Sequence, residues 1–86
     1  MIYEIRVIKP IVGRPDEGGD SEFDADRKKR LTAFAYAKAR SKKSDAYEVV
    51  VYEYAGSNGF PDYEGDFTHQ WYFKDGKLTW DMGGNN

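Results

Sequence analysis

Apolar and charged residues alternate at the start of the chain, from Ile2 to Lys9. The apolar positions on one side are Tyr3, Ile5 and Val7. A period of two residues is typical of a strand with one buried face, so this stretch predicts the first strand. Pro10 ends the pattern, and the prolines and glycines between residues 10 and 20 predict a loop.

The next pattern has the period of a helix and predicts one long helix from about Glu22 to Arg40. Alanines at every second position from 33 to 39 favour a helix, and neither glycine nor proline interrupts it. Ser21 can act as the N-cap, with Asp24 following in a shortened capping box. The apolar stripe is narrow, so we expect the helix to lie flat against one sheet. The apolar residues of this stripe are Phe23, Leu31 and Phe34.

The segment from Ala46 to Ala55 is apolar at consecutive positions and predicts a central strand, buried on both faces. Residues 56–66 are rich in glycine and acidic residues and predict a second loop. Two further strands, Phe67–Lys74 and Lys77–Met82, flank Asp75-Gly76, a dipeptide that favours a tight type I′ hairpin turn.

Pairing across this turn starts with Lys74 opposite Lys77 and, continued without interruption, places Trp71 opposite Trp80. Six hairpin residues are therefore expected on the inward face, against the helix: His69, Trp71, Phe73, Leu78, Trp80 and Met82. This makes Trp80 a core residue, whose replacement by alanine is expected to cost about 3–5 kcal/mol of stability.

Together these elements predict an α+β fold, with one helix packed on a four-stranded, mainly antiparallel sheet in the order β-α-β-β-β. A chain of 86 residues has room for one domain with a thin core. Residues 1–86 are therefore assigned to a single domain, with a flexible tail at about 83–86. The sheet face opposite the helix is expected to be partly open and to display tyrosines.

Charge is strongly segregated along the chain. Eight of the thirteen basic residues lie between Arg27 and Lys43, a stretch without an acidic residue that we call the basic segment. The rest carries five basic and fifteen acidic residues, so the overall charge of −2 hides two regions of opposite sign. Such a dipolar molecule favours a charged macromolecular partner. The residues predicted to bind it are Arg27, Lys28, Lys29, Arg30, Tyr36, Arg40, Lys42 and Lys43.

Composition disfavours several classes of protein. The chain has no cysteine, which excludes disulfides and thiolate chemistry and fits a cytoplasmic location. No apolar run approaches the roughly 20 residues of a membrane span. Glu4 and Arg6 interrupt any signal-like start. Neither a membrane nor a cofactor is expected as a partner.

Candidate catalytic and metal-binding residues are few. His69 is the only histidine and has no triad spacing around it, so we expect it at the margin of the core. Asp62, Glu64 and Asp66 alternate in the second predicted loop without the rest of a calcium-binding pattern, and solvated acids are the simpler interpretation. The glycines before the predicted helix are surrounded by acids that would repel a phosphate. We therefore predict a protein without enzymatic activity or a bound metal.

The predicted function is recognition of another macromolecule, most simply a protein, through charged and tyrosine-rich surfaces. The alternative is nucleic-acid binding through the basic segment, although the sequence contains no helix-turn-helix, zinc-finger or RNA-binding motif. A homodimer is a further alternative, because an uncovered sheet face or edge can pair with a second copy.

In size, predicted element order and opposed charges, the chain is similar in general style to small phage-encoded accessory proteins that block host machinery, including anti-CRISPR proteins. The similarity covers the predicted architecture and involves no residue motif, so it implies no particular site. It implies an inhibitor that acts by surface recognition, with the basic segment as the first surface to test.

Overall fold

The structure is a computed structural model that describes residues 2–54, 56–57, 60–61 and 68–83. Its elements are β1 (Ile2–Ile11), β2 (Arg14–Arg27), α1 (Arg30–Arg40), β3 (Glu48–Tyr54), β4 (Gly56–Ser57), β5 (Phe60–Pro61), β6 (His69–Lys74) and β7 (Lys77–Gly83). Five strands form an antiparallel sheet in the order β2-β1-β3-β6-β7, and β4 pairs with β5 separately. With α1 packed on one face of the sheet, the predicted α+β class is confirmed.

The two middle strands behave as their sequences predict. On β1, the alternating apolar residues all point toward α1 and are buried: Tyr3, Ile5 and Val7. β3 is buried on both faces, because Val49 and Val51 lie under the helix while Val50, on the other face, is 1% exposed. These two strands supply most of the aliphatic core.

The first correction concerns the chain between β1 and α1, which is a strand. β1 turns at Val12-Gly13 into β2, and Gly13 has the positive φ of 83° that favours glycine. The predicted loop and the predicted helix start at Glu22 are both wrong, and so are the four-strand count and the β-α-β-β-β order. Ser21 caps no helix and accepts a hydrogen bond from Arg6 Nε at 3.0 Å. Pairing along β1 satisfies a whole row of backbone groups, which outweighs a weak local helix signal.

α1 is therefore shorter than predicted and packs through small residues. Ala33 and Ala37 are fully buried, and their size allows the helix backbone to approach the sheet closely. Phe34 packs edge-on against Trp71 and Phe73, with ring centroids 4.9 and 5.2 Å away. One short helix with an aromatic wedge thus covers the middle of the sheet.

The hairpin of β6 and β7 is confirmed at its turn. Asp75 and Gly76 form the turn with φ angles of 52° and 81°. Lys74 lies opposite Lys77, and Phe73 lies opposite Leu78, as predicted. The Asp-Gly dipeptide alone specifies this local geometry.

Beyond the turn, a bulge at Thr79 changes the register. Tyr72 lies opposite Trp80, so Trp80 lies on the face away from α1, where it is 59% exposed. The predicted pairing of Trp71 with Trp80 and the inward placement of Met82 are wrong. One extra residue in β7 is enough to move the following side chains to the other face of the sheet, because successive side chains of a strand point to opposite faces. The Thr79 hydroxyl donates to the Tyr72 carbonyl oxygen at 3.2 Å, inside the bulge.

The predicted second loop is described only in part. Gly56–Ser57 and Phe60–Pro61 form the strands β4 and β5, so that part is not a loop. The predicted strand start at Phe67 lies outside the described residues. So do the three acids considered as metal ligands: Asp62, Glu64 and Asp66. Of the predicted tail, Gly83 closes β7 and residues 84–86 lie outside the described part. Within the described ranges, no helix is long and apolar enough to cross a membrane.

The two tryptophans give a matched test of the corrected register. Trp71 is 3% exposed, so Trp71→Ala should lower the free energy of unfolding by about 3–5 kcal/mol. Trp80→Ala should cost less than about 1 kcal/mol, because the ring lies mostly in solvent. Urea unfolding of both variants measures this difference, and equal losses would contradict the bulge at Thr79.

Candidate functional site

The sequence suggested that most of the basic segment lies on one helix, but the structure distributes it over several elements. Arg27 is the last residue of β2, Lys28 and Lys29 connect it to α1, and the segment ends at Lys43 in the turns after the helix. Its eight cations therefore start from different elements. The structure divides them into three arginines held by the protein and five lysines directed to solvent.

Arg27 lies against Tyr36, a residue of α1 that we predicted to bind a partner. The Arg27 guanidinium carbon lies 4.7 Å from the centroid of the Tyr36 ring. The Tyr36 hydroxyl donates a hydrogen bond to Asp24 on β2. That bond, with partial burial, raises the pKa of Tyr36. Both residues therefore attach the helix to the edge strand and are only partly available to a partner.

Arg40 is held at the other end of the helix. Its guanidinium donates two hydrogen bonds to the Asp45 carboxylate, at 2.7 and 2.9 Å. Arg40 Nε also lies 3.5 Å from Asp24 Oδ1, and Lys9 reaches Asp45 at 3.3 Å. Hydrogen bonds from Arg40 and Lys9 lower the pKa of Asp45 to about 2. This fork anchors the last turn of α1.

Arg30 extends from the first turn of α1 to Glu53, a buried carboxylate on β3. Arg30 Nη2 lies 3.2 Å from Glu53 Oε2, which also accepts a hydrogen bond from the Tyr3 hydroxyl at 2.8 Å. Thr68 donates to the other oxygen at 2.6 Å. Burial acts to raise the pKa of Glu53, but the hydrogen bonds from Thr68, Tyr3 and Arg30 outweigh it, so the pKa is lowered. The Arg30 guanidinium also lies 5.0 Å from the centroid of the Trp71 ring.

Five lysines have no hydrogen bond or ion pair in the part of the chain that the structure describes, and all five are exposed: Lys28, Lys29, Lys38, Lys42 and Lys43. The first turn of α1 contains no acidic residue, and the N-cap Lys29 makes no side-chain capping bond. The positive end of the helix dipole and the lysines beside it are therefore not compensated locally. Of the predicted partner-binding residues, four have an ammonium group without a partner among the described residues: Lys28, Lys29, Lys42 and Lys43. Lys38 was not among those predicted.

Leu31 completes the outward face of the helix. We predicted it in the apolar stripe against the sheet, but it is 82% exposed. Leu31, Ala35 and Lys38 recur at spacings of four and three residues, which places them along one side of α1. Ala39 is exposed beside them, whereas Lys42 follows the helix end and its side-chain carbons lie near Gly76 of the hairpin turn. We call the exposed surface formed by these residues and the lysines that flank the helix in sequence the lysine-framed face: Leu31, Ala35 and Ala39 on α1, with Lys28, Lys29, Lys38, Lys42 and Lys43.

Sequence reasoning missed Leu31 because the helix wheel included Phe23, which is in β2. The orientation of the wheel changes once Ala33 and Ala37 mark the buried side. A detectable signal was the alanine row itself. The alanines occur on both the buried and the exposed side of α1, so hydrophobicity alone does not tell which side faces the sheet. Which large residues are buried is then decided by how the helix packs.

His69 lies at the margin of the core, close to the predicted position. Its ring stacks on Trp71 at a centroid distance of 4.3 Å and an angle of 12°. Its Nε2 lies 2.5 Å from Asp81 Oδ1. Across the strands its partner is Gly83, whereas Met82 had been predicted. Among the described residues there is no cluster of three or more histidine, cysteine or acidic side chains that could hold a metal ion.

Glu53 gives a pH-dependent test of the framework under the lysine-framed face. Glu53→Gln keeps the size but removes the charge that three donors share, so we expect a loss of about 1–3 kcal/mol at neutral pH. Because the folded state lowers the pKa of Glu53, its contribution is present above the unfolded-state pKa and is lost as pH falls through the folded-state pKa. The difference between wild type and variant should shrink between about pH 6 and about pH 3 in urea unfolding.

Glu17→Gln is the matched control for this measurement, since Glu17 is exposed on β2 and its carboxylate pairs, among the described residues, with Arg14 alone, at 3.5 Å. It should leave the unfolding free energy nearly unchanged at every pH. A Glu53→Gln difference that stays constant from neutral to acidic pH would contradict the lowered pKa of Glu53.

Comparison with known proteins finds no matching family model, no matching curated protein and no matching solved structure.

Proposed function

We propose that the protein is a binding module without enzymatic activity, which docks its lysine-framed face on an acidic surface of another protein. The observation that supports this most directly is the group of five exposed lysines, on and beside a helix with an exposed leucine, whose ammonium groups have no partner among the described residues. Surface charges of a folded domain usually mix signs along a helix, which limits repulsion between neighbours. Here the unpaired like charges become favourable only when carboxylates approach from outside.

The apolar centre supplies the close contact that charge alone lacks. Leu31 projects from α1 with 82% of its surface exposed, and Ala35 and Ala39 add little bulk beside it. Burying an exposed leucine side chain contributes about 1.5–3 kcal/mol. The small alanines allow a second helix or strand to approach the backbone of α1. A partner with an apolar ridge and flanking acids fits this surface.

The lysines then determine the rate and the orientation of docking. Charges at the rim of an interface mainly raise the association rate and reject partners of the wrong sign. The arginines are different, because Arg30 and Arg40 are held by Glu53 and Asp45 inside the protein. They fix the helix on which the lysines stand.

Nucleic-acid binding remains the alternative because the free lysines could contact phosphates. Two features favour a protein partner. The lysine-framed face has an apolar centre without an aromatic ring for base stacking. The edge strand β2 is acidic, and Asp16, Glu17 and Asp20 are exposed there. These carboxylates repel phosphates and oppose the attraction of the lysines. The similarity in style to phage-encoded blocking proteins adds no support, since it used an element order that the structure does not have.

Charge reversal on the lysine-framed face tests the protein-binding proposal. Tagged wild type would be used as bait in nuclease-treated lysate of the source organism, beside Lys28→Glu/Lys38→Glu and Leu31→Asp. We expect both variants to fold normally and to capture at least about tenfold less partner than wild type. The double variant reverses the charge of two lysines, and Leu31→Asp places a carboxylate in the apolar centre.

The matched control for the single reversal Lys38→Glu is Arg14→Glu, which makes the same change in net charge at an exposed position on β2. It should capture the partner as wild type does. Loss of capture by this control alone, or retention by both test variants, would refute the proposed surface. The captured protein should also bind through an acidic segment, as a peptide array of its sequence can show.

Titration with oligonucleotides at different salt concentrations tests the alternative. We expect weak, sequence-independent binding at low salt that disappears near about 150 mM salt. Four phosphate contacts would lose roughly a hundredfold in affinity between about 50 and about 200 mM salt, because each releases counterions. Tight binding of DNA or RNA at physiological salt, abolished by Lys28→Glu/Lys38→Glu, would make the basic segment a nucleic-acid interface.

A further inference from the structure

On the other side of the sheet, an exposed surface lies at the β7 end, beside a buried centre that contains Glu4, Val50 and Gln70. α1 covers one face, and the described part of the chain places no helix on the opposite face. One row of side chains crosses all five strands there, and it follows from the register: Phe23, Arg6, Val50, Tyr72 and Trp80. The row spans roughly 19 Å, four strand spacings of about 4.8 Å. Its outer end, at β7, is aromatic and open.

Tyr72 and Trp80 form an ordered pair at this end. Their ring centroids are 6.4 Å apart and the rings are inclined by 52°. The Tyr72 hydroxyl donates to Gln70 Oε1 at 3.2 Å, and Gln70 Nε2 lies 3.1 Å from Met82 Sδ. Gln70 is buried on the same face as Tyr72, so these contacts orient the Tyr72 ring beside Trp80. Trp80 nevertheless remains 59% exposed, and in the described part of the chain nothing accepts a hydrogen bond from its indole N–H.

We propose that the Tyr72–Trp80 pair binds a proline-rich segment of another protein in the polyproline II conformation, with an acidic residue at one end. Two inclined aromatic rings offer apolar surfaces on which proline rings pack. A polyproline II segment makes no internal hydrogen bonds, so its carbonyl oxygens are free to accept one from the Trp80 indole. The segment is already extended and loses little conformational entropy on binding, which suits a shallow site.

The size of the face selects a segment over a folded domain or a second copy. The accessible part is smaller than the whole face, because Glu4, Val50 and Gln70 on this side are buried and the exposed aromatic surface is confined to the β7 end. A stable dimer buries about 800 Å² on each partner. Edge pairing through β7 is also disfavoured, because the bulge at Thr79 disrupts the regular edge that a second strand needs.

Charge selects the acidic end. Lys74 and Lys77 lie opposite each other at the hairpin turn, on the same face as Tyr72. Lys74 is occupied, with its Nζ 2.9 Å from the Tyr47 carbonyl oxygen and 3.7 Å from the centroid of the Tyr47 ring. Lys77 is exposed and makes no ion pair within the described residues. A carboxylate next to the prolines would find Lys77 free beside the aromatic pair.

This surface lies on the opposite side of the sheet from the lysine-framed face, so the two proposals fail independently. The test is a titration of the intact chain with a proline-repeat peptide that ends in two glutamates, followed by heteronuclear NMR. We expect saturable binding, with the largest shifts at the Trp80 indole and at Tyr72. A glycine–serine peptide of equal length with the same acidic end should not saturate.

Variants identify the residues that carry the binding. Trp80→Ala should weaken the proline peptide at least about tenfold, as expected for an aromatic anchor. Trp80→Leu keeps an apolar strand residue and should show the same loss, which guards against an unfolded alanine variant. Lys77→Glu should weaken only the peptide with the acidic end, and Leu31→Asp should bind as wild type does.

Four outcomes would overturn the proposal. One is absence of saturable binding to the proline peptide, and another is unchanged affinity in both Trp80 variants. A third is preferential binding of single-stranded oligothymidylate that depends on Trp80, which would make the pair a base-stacking platform. The fourth is a concentration-dependent dimer in sedimentation that Trp80→Ala abolishes, which would assign the face to a second copy.

Discussion

One short helix has to cover a five-stranded sheet, and most of the structure follows from that constraint. α1 has eleven residues and buries only two alanines fully, so it cannot shield the sheet by its own apolar bulk. Phe34 fills the middle by packing on Trp71 and Phe73. Toward the helix ends, where an apolar residue would remain exposed, arginines reach across to carboxylates on the sheet and in the following loop.

This use of arginine explains the unusual charge distribution. Arg30 satisfies a buried glutamate, and Arg40 ties the helix end to Asp45. Glu53 is buried, so losing Arg30 would be costly because it leaves that charge with one donor fewer. Asp45 is exposed, so the Arg40–Asp45 pair adds less. The lysines of the same segment take no part in this framework. Their positive charge remains on the surface, on and beside the outward side of α1.

The protein therefore presents two surfaces of different chemistry on opposite sides of one sheet. The lysine-framed face combines charge with a small apolar centre and suits an acidic partner. The Tyr72–Trp80 pair is aromatic, shallow and held in place by Gln70. A chain of this size that binds one partner on each side would act as a bridge, with the sheet between them as a rigid spacer.

The sequence by itself determined the features that local chemistry controls. The alternation in β1, the central position of β3 and the Asp75-Gly76 turn are written in short-range patterns, and the structure has all three. The asymmetric charge was also evident, although the sequence did not distinguish the free lysines from the anchored arginines. That distinction depends on which carboxylates contact α1 in the folded chain. Asp45 follows the helix and Glu53 lies on β3, so a helical pattern does not include either of them.

Only the tertiary structure decided the rest. Residues 21–27 carry a plausible helix start, but as part of β2 they pair with the edge of β1, whose backbone groups two further helical turns would have left unpaired. The bulge at Thr79 inserted one residue into β7, and the strict alternation of a strand then moved Trp80 from the predicted core to the open face. Both outcomes arise from pairing between strands, whose energy depends on neighbours that a local pattern does not contain.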